Sequence, residues 1–103
     1  MEISIDNKEL EKLYTTGKSA KLKIPDHVTD KFFATIQKIE AARDIYDLWA
    51  DKGLNFEKLK GKEKEYSMRL SGKYRLEMEF NWNDEQKTNG SFVLKNISNH
   101  YKD

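Results

Sequence analysis

Cysteine is absent from this 103-residue sequence, and histidine occurs only twice, as His27 and His100. Without cysteine the chain has no disulfide, no thiolate nucleophile and no thiolate ligand for zinc. Two histidines are too few for the three-histidine centre that some catalytic zinc sites use. We therefore expect neither a metal nor another cofactor to take part in the function of this protein.

An excess of charge and a long apolar run are also lacking. Nineteen basic side chains face eighteen acidic ones, so the formal net charge is +1 and the chain as a whole does not attract polyanions strongly. No run approaches the roughly 18 apolar residues of a membrane span, and the first residues are acidic where a signal peptide is basic. These features predict one small cytoplasmic domain over residues 1–103, with no membrane partner.

The N-terminal pattern indicates a short strand followed by a helix. Ile3 and Ile5 alternate with polar residues, which is typical of a strand. Asp6 precedes Glu9 by three residues, which is the spacing of a capping box at the start of a helix. We expect this helix to end near Gly17, because glycine commonly terminates helices.

A longer helix is predicted after Pro25, since proline fits the first turn of a helix. Its apolar residues recur at helical spacing and form one stripe, which consists of Val28, Phe32, Ile36 and Ile39. A short third helix over residues 44–49 should end before Gly53 and cover the core.

Strict alternation then replaces helical spacing and indicates a β-hairpin turning at residues 71–73. Its core-facing residues are Tyr66, Met68 and Leu70 on one strand and Tyr74, Leu76, Met78 and Phe80 on the next. Leu54 and Phe56 begin an earlier predicted strand, and residues 92–97 form a later one after a polar loop over residues 81–90. The fold class is therefore α+β, with N-terminal helices packed on one face of a small, mainly antiparallel sheet.

The hairpin residues of opposite parity include two arginines, Arg69 and Arg75, which should project from the sheet face away from the helices. We expect both side chains to be exposed. The alternation alone predicts that they are surface arginines, each paired across strands with a carboxylate. The candidate carboxylates are those of Glu57, Glu77 and Glu79.

Two segments resemble the signature of the HigB toxins, a family of RelE-superfamily ribonucleases. They are Leu59-Lys60-Gly61 and the run from Tyr66 to Leu76, with the sequence YSMRLSGKYRL. The resemblance extends over residues 9–101 and implies the RelE-like fold. It also implies a toxin of a type II toxin-antitoxin system that cuts messenger RNA in the decoding site of the ribosome. The family reaction is metal-independent attack of a ribose 2′-OH on the adjacent phosphate.

The resemblance assigns catalytic roles to residues of this chain. Arg69, Arg75 and Lys60 would stabilise charge on the phosphate, since guanidinium groups match phosphate geometry. Glu57 stands where many family members carry a histidine, and a glutamate there would act as the base. The acid is then one of two neighbours near the C-terminus, His100 or Tyr101, whose order is inverted relative to the family.

Four further lysines are candidate RNA contacts, namely Lys58, Lys62, Lys64 and Lys73. The alternation of the first three with glutamates is more typical of a solvated loop. Trp82, in the predicted polar loop, is the candidate aromatic platform for a base, whereas Trp49 is expected to fill the core. His27 lies on the long helix, away from the arginines, and receives no chemical role.

The resemblance also implies partners. The antitoxin would be a HigA-like helix-turn-helix protein, and the complex would bind operator DNA only through that antitoxin. The toxin itself would meet the ribosome and messenger RNA. Two other functions stay open: a HigB-like binding module that does not cleave, to which Glu57 and the near-neutral charge would point, and a superfamily relative with a target other than RNA.

Overall fold

The computed structural model describes residues 1–99 and contains a five-stranded sheet with three helices. The elements in chain order are β1 (Glu2–Ile5), α1 (Lys8–Thr16), α2 (Asp26–Ala41), α3 (Ile45–Ala50), a 3-10 turn (Lys52–Leu54), β2 (Glu57–Lys58), β3 (Glu65–Arg69), β4 (Arg75–Trp82) and β5 (Gly90–Ser98). The strand order is β1-β5-β4-β3-β2, and every neighbouring pair is antiparallel except β1 with β5. The predicted α+β class with a mainly antiparallel sheet is confirmed.

The N-terminus of α1 is capped by Asn7, so the predicted capping box from Asp6 is wrong. The Asn7 Oδ1 atom accepts hydrogen bonds from the backbone N–H groups of Glu9 at 2.9 Å and Leu10 at 3.1 Å. Its Nδ2 atom donates to the carbonyl of Lys95 at 2.9 Å, which fastens the helix to β5. Asp6 instead forms an ion pair with the Lys95 Nζ atom at 3.0 Å. Asn7 displaces Asp6 because its amide group can donate and accept at once.

The apolar stripe of α2 lies in the core as its spacing predicts. The core residues of the helices are Leu10, Leu13, Val28, Phe32, Ile36, Ile39, Ile45 and Leu48, and those of β3, β4 and β5 include Met68, Leu76, Met78, Phe80, Phe92 and Leu94. The helices therefore cover one face of the sheet and leave the other face without a helical layer. Within residues 1–99 no helix has the length and apolar character needed to cross a membrane.

The hairpin of β3 and β4 has the predicted register, with Met68 opposite Leu76. The turn between the strands is held by the Ser71 Oγ atom, which accepts from the backbone N–H groups of Lys73 and Tyr74, both at 3.2 Å. The strand after this turn runs further than predicted, because Trp82 is the last residue of β4 rather than part of a polar loop.

The strand predicted to begin at Leu54 starts later and is shorter. Leu54 ends the 3-10 turn, which the Asp51 carboxylate caps by accepting from the Gly53 N–H group at 3.0 Å. Asn55 follows in the left-handed conformation with φ 45°, a region that asparagine tolerates better than most residues. Only after this change of direction does the chain join the sheet, as β2.

We expect Gly90→Ala to lower the free energy of unfolding by at least about 2 kcal/mol, because overpacking is costly. A Cβ atom at Gly90 would overlap the carbonyl oxygen of Asn81 and lie 2.7 Å from a ring carbon of Phe80. Gly72→Ala is the matched control, since nothing lies within 4 Å of a Cβ atom there. It should change stability by less than about 0.5 kcal/mol. Urea denaturation measures both, and equal stability of the two variants would contradict the close packing of β4 on β5.

Candidate active site

The two arginines of the hairpin stand directly opposite each other on neighbouring strands. Arg69 of β3 is the register partner of Arg75 of β4. Their side chains project from the uncovered face, because successive residues alternate and Met68 and Leu76 lie in the core. Like charges opposite each other destabilise a sheet, so folding alone gives no reason for this pair.

Arg75 is buried, with only 6% of its surface exposed, which corrects the expectation that both arginines are exposed. Its Nε atom donates to the Ser67 Oγ atom at 2.9 Å, and an Nη atom donates to the carbonyl oxygen of Asn55 at 2.7 Å. The left-handed turn at Asn55 brings that carbonyl within reach of the sheet face and so fixes the guanidinium. Arg69 is exposed, as expected.

A carboxylate lies beside the fixed guanidinium. The Glu57 Oε1 atom is 3.6 Å from an Nη atom of Arg75, and the Glu57 side chain is 51% exposed. Glu57 reaches this position because it pairs with Ser67 across β2 and β3. The cross-strand pairing expected for a surface arginine therefore exists here. A carboxylate that is open to solvent on its other side can also accept a proton from a bound hydroxyl group.

Two serines flank Arg75 on the neighbouring strands. Ser67 has the same parity as Arg69, so the alternation alone could have found it. Ser98 is the register partner of Arg75 on β5 and is buried, and its Oγ atom has no hydrogen-bond partner in the described part of the chain. Simple alternation would put Ser98 on the core face. The register shift between Glu77 and Met78, opposite Lys95, moves it to the arginine face.

The rest of this sheet face is acidic. Four glutamates project from it, namely Glu57, Glu65, Glu77 and Glu79, and Glu65 stands directly opposite Glu79. The carboxylate of Asp6 raises the pKa of Lys95, chiefly through their hydrogen bond, and Glu79 and Glu65 contribute to the same shift. Among the residues that the structure describes, a polyanion therefore finds its most favourable charge at the end of the face that carries the arginines and the hairpin turn.

A cleft of about 370 Å³ lies next to Arg69, between the hairpin turn and α2. Its lining residues are Lys31, Gly53, Arg69, Leu70, Ser71 and Gly72. Among the residues that the structure describes, no carboxylate lines this cleft, so its two cations favour an anion. Lys31 was missed by the sequence analysis, because on the helix it belongs to the polar side and only the fold brings it to Arg69.

The predicted lysines do not form one cluster. Lys73 lies in the hairpin turn between the two arginines, and Lys60 and Lys62 lie exposed in the turn between β2 and β3. Lys58 pairs with Tyr66, whose side chain faces the helices, and Lys64 has the same parity as Tyr66. Lys58 and Lys64 therefore project from the face opposite Arg75.

The remaining candidates fall elsewhere. His100 and Tyr101 lie outside the described residues. His27 is exposed in the first turn of α2. Trp49 does not fill the core as predicted, since it is 46% exposed, although its ring packs 4.4 Å from that of Phe56. The short helix α3 buries Ile45 and Leu48, and Trp49 lies on its other side together with the exposed Tyr46.

Comparisons with known proteins agree with this architecture. The sequence profile of the RelE-like toxin of type II toxin-antitoxin system HigB matches residues 3–93. A solved structure, the YoeB/ParE toxin from Agrobacterium tumefaciens, superimposes with a TM-score of 0.61 at 14% sequence identity, covering 98% of this chain and 100% of that chain. At this identity the likeness concerns the fold. A search of curated proteins gives no match.

We expect Arg75→Ala to lower the free energy of unfolding by about 1–3 kcal/mol, because buried acceptors lose their donor. Arg69→Ala should leave stability unchanged or slightly higher, since it removes a like-charge contact from an exposed position. Chemical denaturation of the two variants tests this difference. An unchanged stability of Arg75→Ala would show that the hydrogen bonds to Ser67 and Asn55 do not stabilise the fold.

Proposed function

This chain belongs to the HigB-like family of RelE-like toxins, and on that basis we propose that it is an endoribonuclease that cuts messenger RNA in the decoding site of the ribosome. As a type II toxin it has a protein antitoxin as its partner. Toxins of the RelE-like type are generally endoribonucleases, which makes RNA cleavage the reaction to test against the geometry of the site.

The observation that carries the proposal is the Arg75 guanidinium, held between Ser67 and Asn55 with Glu57 beside it. Attack of a ribose 2′-OH on the neighbouring phosphorus builds negative charge on the phosphate oxygens. A guanidinium already fixed by hydrogen bonds stabilises that charge with little reorganisation. Arg69, directly opposite, supplies a second planar group that matches phosphate geometry.

Proton transfer completes the reaction. In this proposal Glu57 takes the proton of the 2′-OH, the oxygen attacks phosphorus, and the bond to the 5′-oxygen breaks to leave a 2′,3′-cyclic phosphate. The departing 5′-oxygen needs a proton, for which His100 and Tyr101 remain the candidates. Lys60 is proposed as the third cation near the phosphate.

The path of the RNA follows the distribution of charge. From Arg75 the cations continue through Arg69 to the cleft that Lys31 lines, with Lys73 in the hairpin turn beside them. The glutamates on the rest of the face repel phosphates. A strand that lies along the hairpin end of the sheet therefore meets cations, and we propose that Lys73 contacts its backbone. Lys62 lies in the turn between β2 and β3, beyond the Glu65–Glu79 pair, and is proposed to contact the message further along.

Partners follow from the same proposal. The ribosome presents the message, so the toxin would act in the cytoplasm. The antitoxin is proposed to be a HigA-like helix-turn-helix protein, and the complex would bind operator DNA through that antitoxin. None of these contacts requires a membrane or a metal.

The test is to map new 5′ ends on a defined message in a purified translation system, with and without ribosomes. Cleavage should appear only on translated message. Arg69→Ala should slow cleavage on the order of a hundredfold, because it removes a charge-stabilising contact without disturbing the fold. Arg43→Ala is the matched control, since this third arginine is exposed and forms its ion pair with Asp47, away from the candidate site. No cleavage by the folded wild-type protein would instead indicate a binding module.

We expect Glu57→Gln to slow single-turnover cleavage at least about a hundredfold, while binding to the ribosome is unchanged. The amide keeps the size of the side chain but cannot accept the proton. Glu79→Gln, on the same sheet face, is the control and should cleave at the wild-type rate. An unchanged rate in Glu57→Gln would exclude Glu57 as the base, and His100→Gln would be the next variant to measure.

A further inference from the structure

A second cationic cleft, of about 360 Å³, lies on the sheet face opposite Arg75. It is lined by Lys58, Glu63, Lys64, Tyr66, Trp82 and Lys87. The face is assigned by the pairing of Lys58 with Tyr66, which packs in the core, whereas the next residue, Ser67, contacts Arg75 on the other side. The cleft is therefore separate from the candidate active site.

Two aromatic rings form a rigid wall of this cleft. The Trp82 ring meets the buried Phe80 edge-on, with centroids 4.4 Å apart and an interplanar angle of 85°. The Tyr66 ring stacks on Phe56 at 5.1 Å and 26°. Trp82 is only partly buried and lines the cleft. A flat ligand can stack there without ordering a flexible side chain first.

The cations of the cleft are available to a ligand. Lys58, Lys64 and Lys87 are exposed, and within residues 1–99 none of them forms an ion pair. The carboxylate of Asp84, near Lys87 in sequence, accepts hydrogen bonds from Thr88 and Asn89, which lower the pKa of Asp84, and within residues 1–99 it forms no ion pair with Lys87. Glu63 is then the one carboxylate among the lining residues, against three lysines.

We propose that this cleft binds single-stranded RNA, with one base stacked on Trp82 and the neighbouring phosphates on the three lysines. Single-strand binding sites combine an aromatic surface with cations along the backbone. An acidic peptide would contact the lysines but would not need to stack on the indole ring of Trp82. Because the cleft and Arg75 lie on opposite faces, the RNA bound here is a different segment from the one that is cleaved. Binding of RNA at this cleft does not depend on cleavage at Arg75.

The experiment uses the fluorescence of Trp82. The sequence has two tryptophans, so Trp49→Phe leaves Trp82 as the only reporter. Titration with a single-stranded oligouridylate at low salt should quench this fluorescence, and the apparent affinity should fall steeply as salt is added. Polyglutamate of similar charge is the competing probe and should neither quench Trp82 nor displace the RNA at equal charge.

Removal of the cations should weaken this binding at least tenfold. In the Trp49→Phe background, the triple change Lys58→Gln, Lys64→Gln and Lys87→Gln should also reduce the salt slope by about two, given about 0.7 per phosphate contact on single strands. The matched control changes three exposed lysines of the α1 region, as Lys8→Gln, Lys12→Gln and Lys18→Gln, and should bind like the parent.

The aromatic contact has its own test. Trp82→Leu keeps an apolar side chain against Phe80, and binding of labelled oligouridylate by fluorescence anisotropy should be at least tenfold weaker. Quenching of Trp82 reports this cleft, whereas mapping of 5′ ends reports cleavage at Arg75, so failure of one proposal is distinguished from failure of the other. No quenching of Trp82 by RNA would overturn the inference. Equal binding of polyglutamate, or equal weakening in the α1 control, would overturn it as well.

Discussion

The hydrogen bonds that hold the guanidinium of Arg75 are the constraint on which the candidate site is built. A buried cation is costly unless acceptors surround it, and here they include the Ser67 hydroxyl on the neighbouring strand and the carbonyl of Asn55. The second acceptor exists only because the chain turns through a left-handed residue before β2. The short segment between α3 and β2 is therefore part of the site and not a passive connection. It also places Glu57 beside the same guanidinium.

Charge on the open sheet face is sorted by position along the strands. Arg69 faces Arg75 near the hairpin turn, and Glu65 faces Glu79 four residues away on each strand. Each pair opposes folding, so the fold depends on the apolar core beneath the helices to tolerate them. The effect of the arrangement is a face with a cationic end and an acidic end. A nearly neutral protein can in this way bind a phosphate at one place and repel it elsewhere.

Local patterns predicted the elements well, because each depends on near neighbours. The stripe of α2 and the register of the hairpin follow directly from spacing. The errors arose where a distant residue decides the outcome. Asn7 replaces Asp6 as the cap because its side chain also donates a hydrogen bond to the Lys95 carbonyl. The bulge at Lys95 reverses the alternation of β5, so Ser98 lies on the arginine face and not on the core face. Lys31 joins Arg69 only through packing of α2, for which the sequence carries no signal.

The two faces of the sheet explain why a run of alternating lysines and glutamates is hard to interpret from sequence. In a strand, neighbouring residues point to opposite sides, so Glu57 and Lys58 enter different surroundings although they are adjacent. Glu57 joins Arg75, and Lys58 joins Tyr66 and Trp82. What looks like one solvated charge run is thus divided between the candidate active site and the aromatic cleft. The +1 net charge of the chain hides this division, because part of the charge that cancels in the sum lies on opposite faces of the sheet.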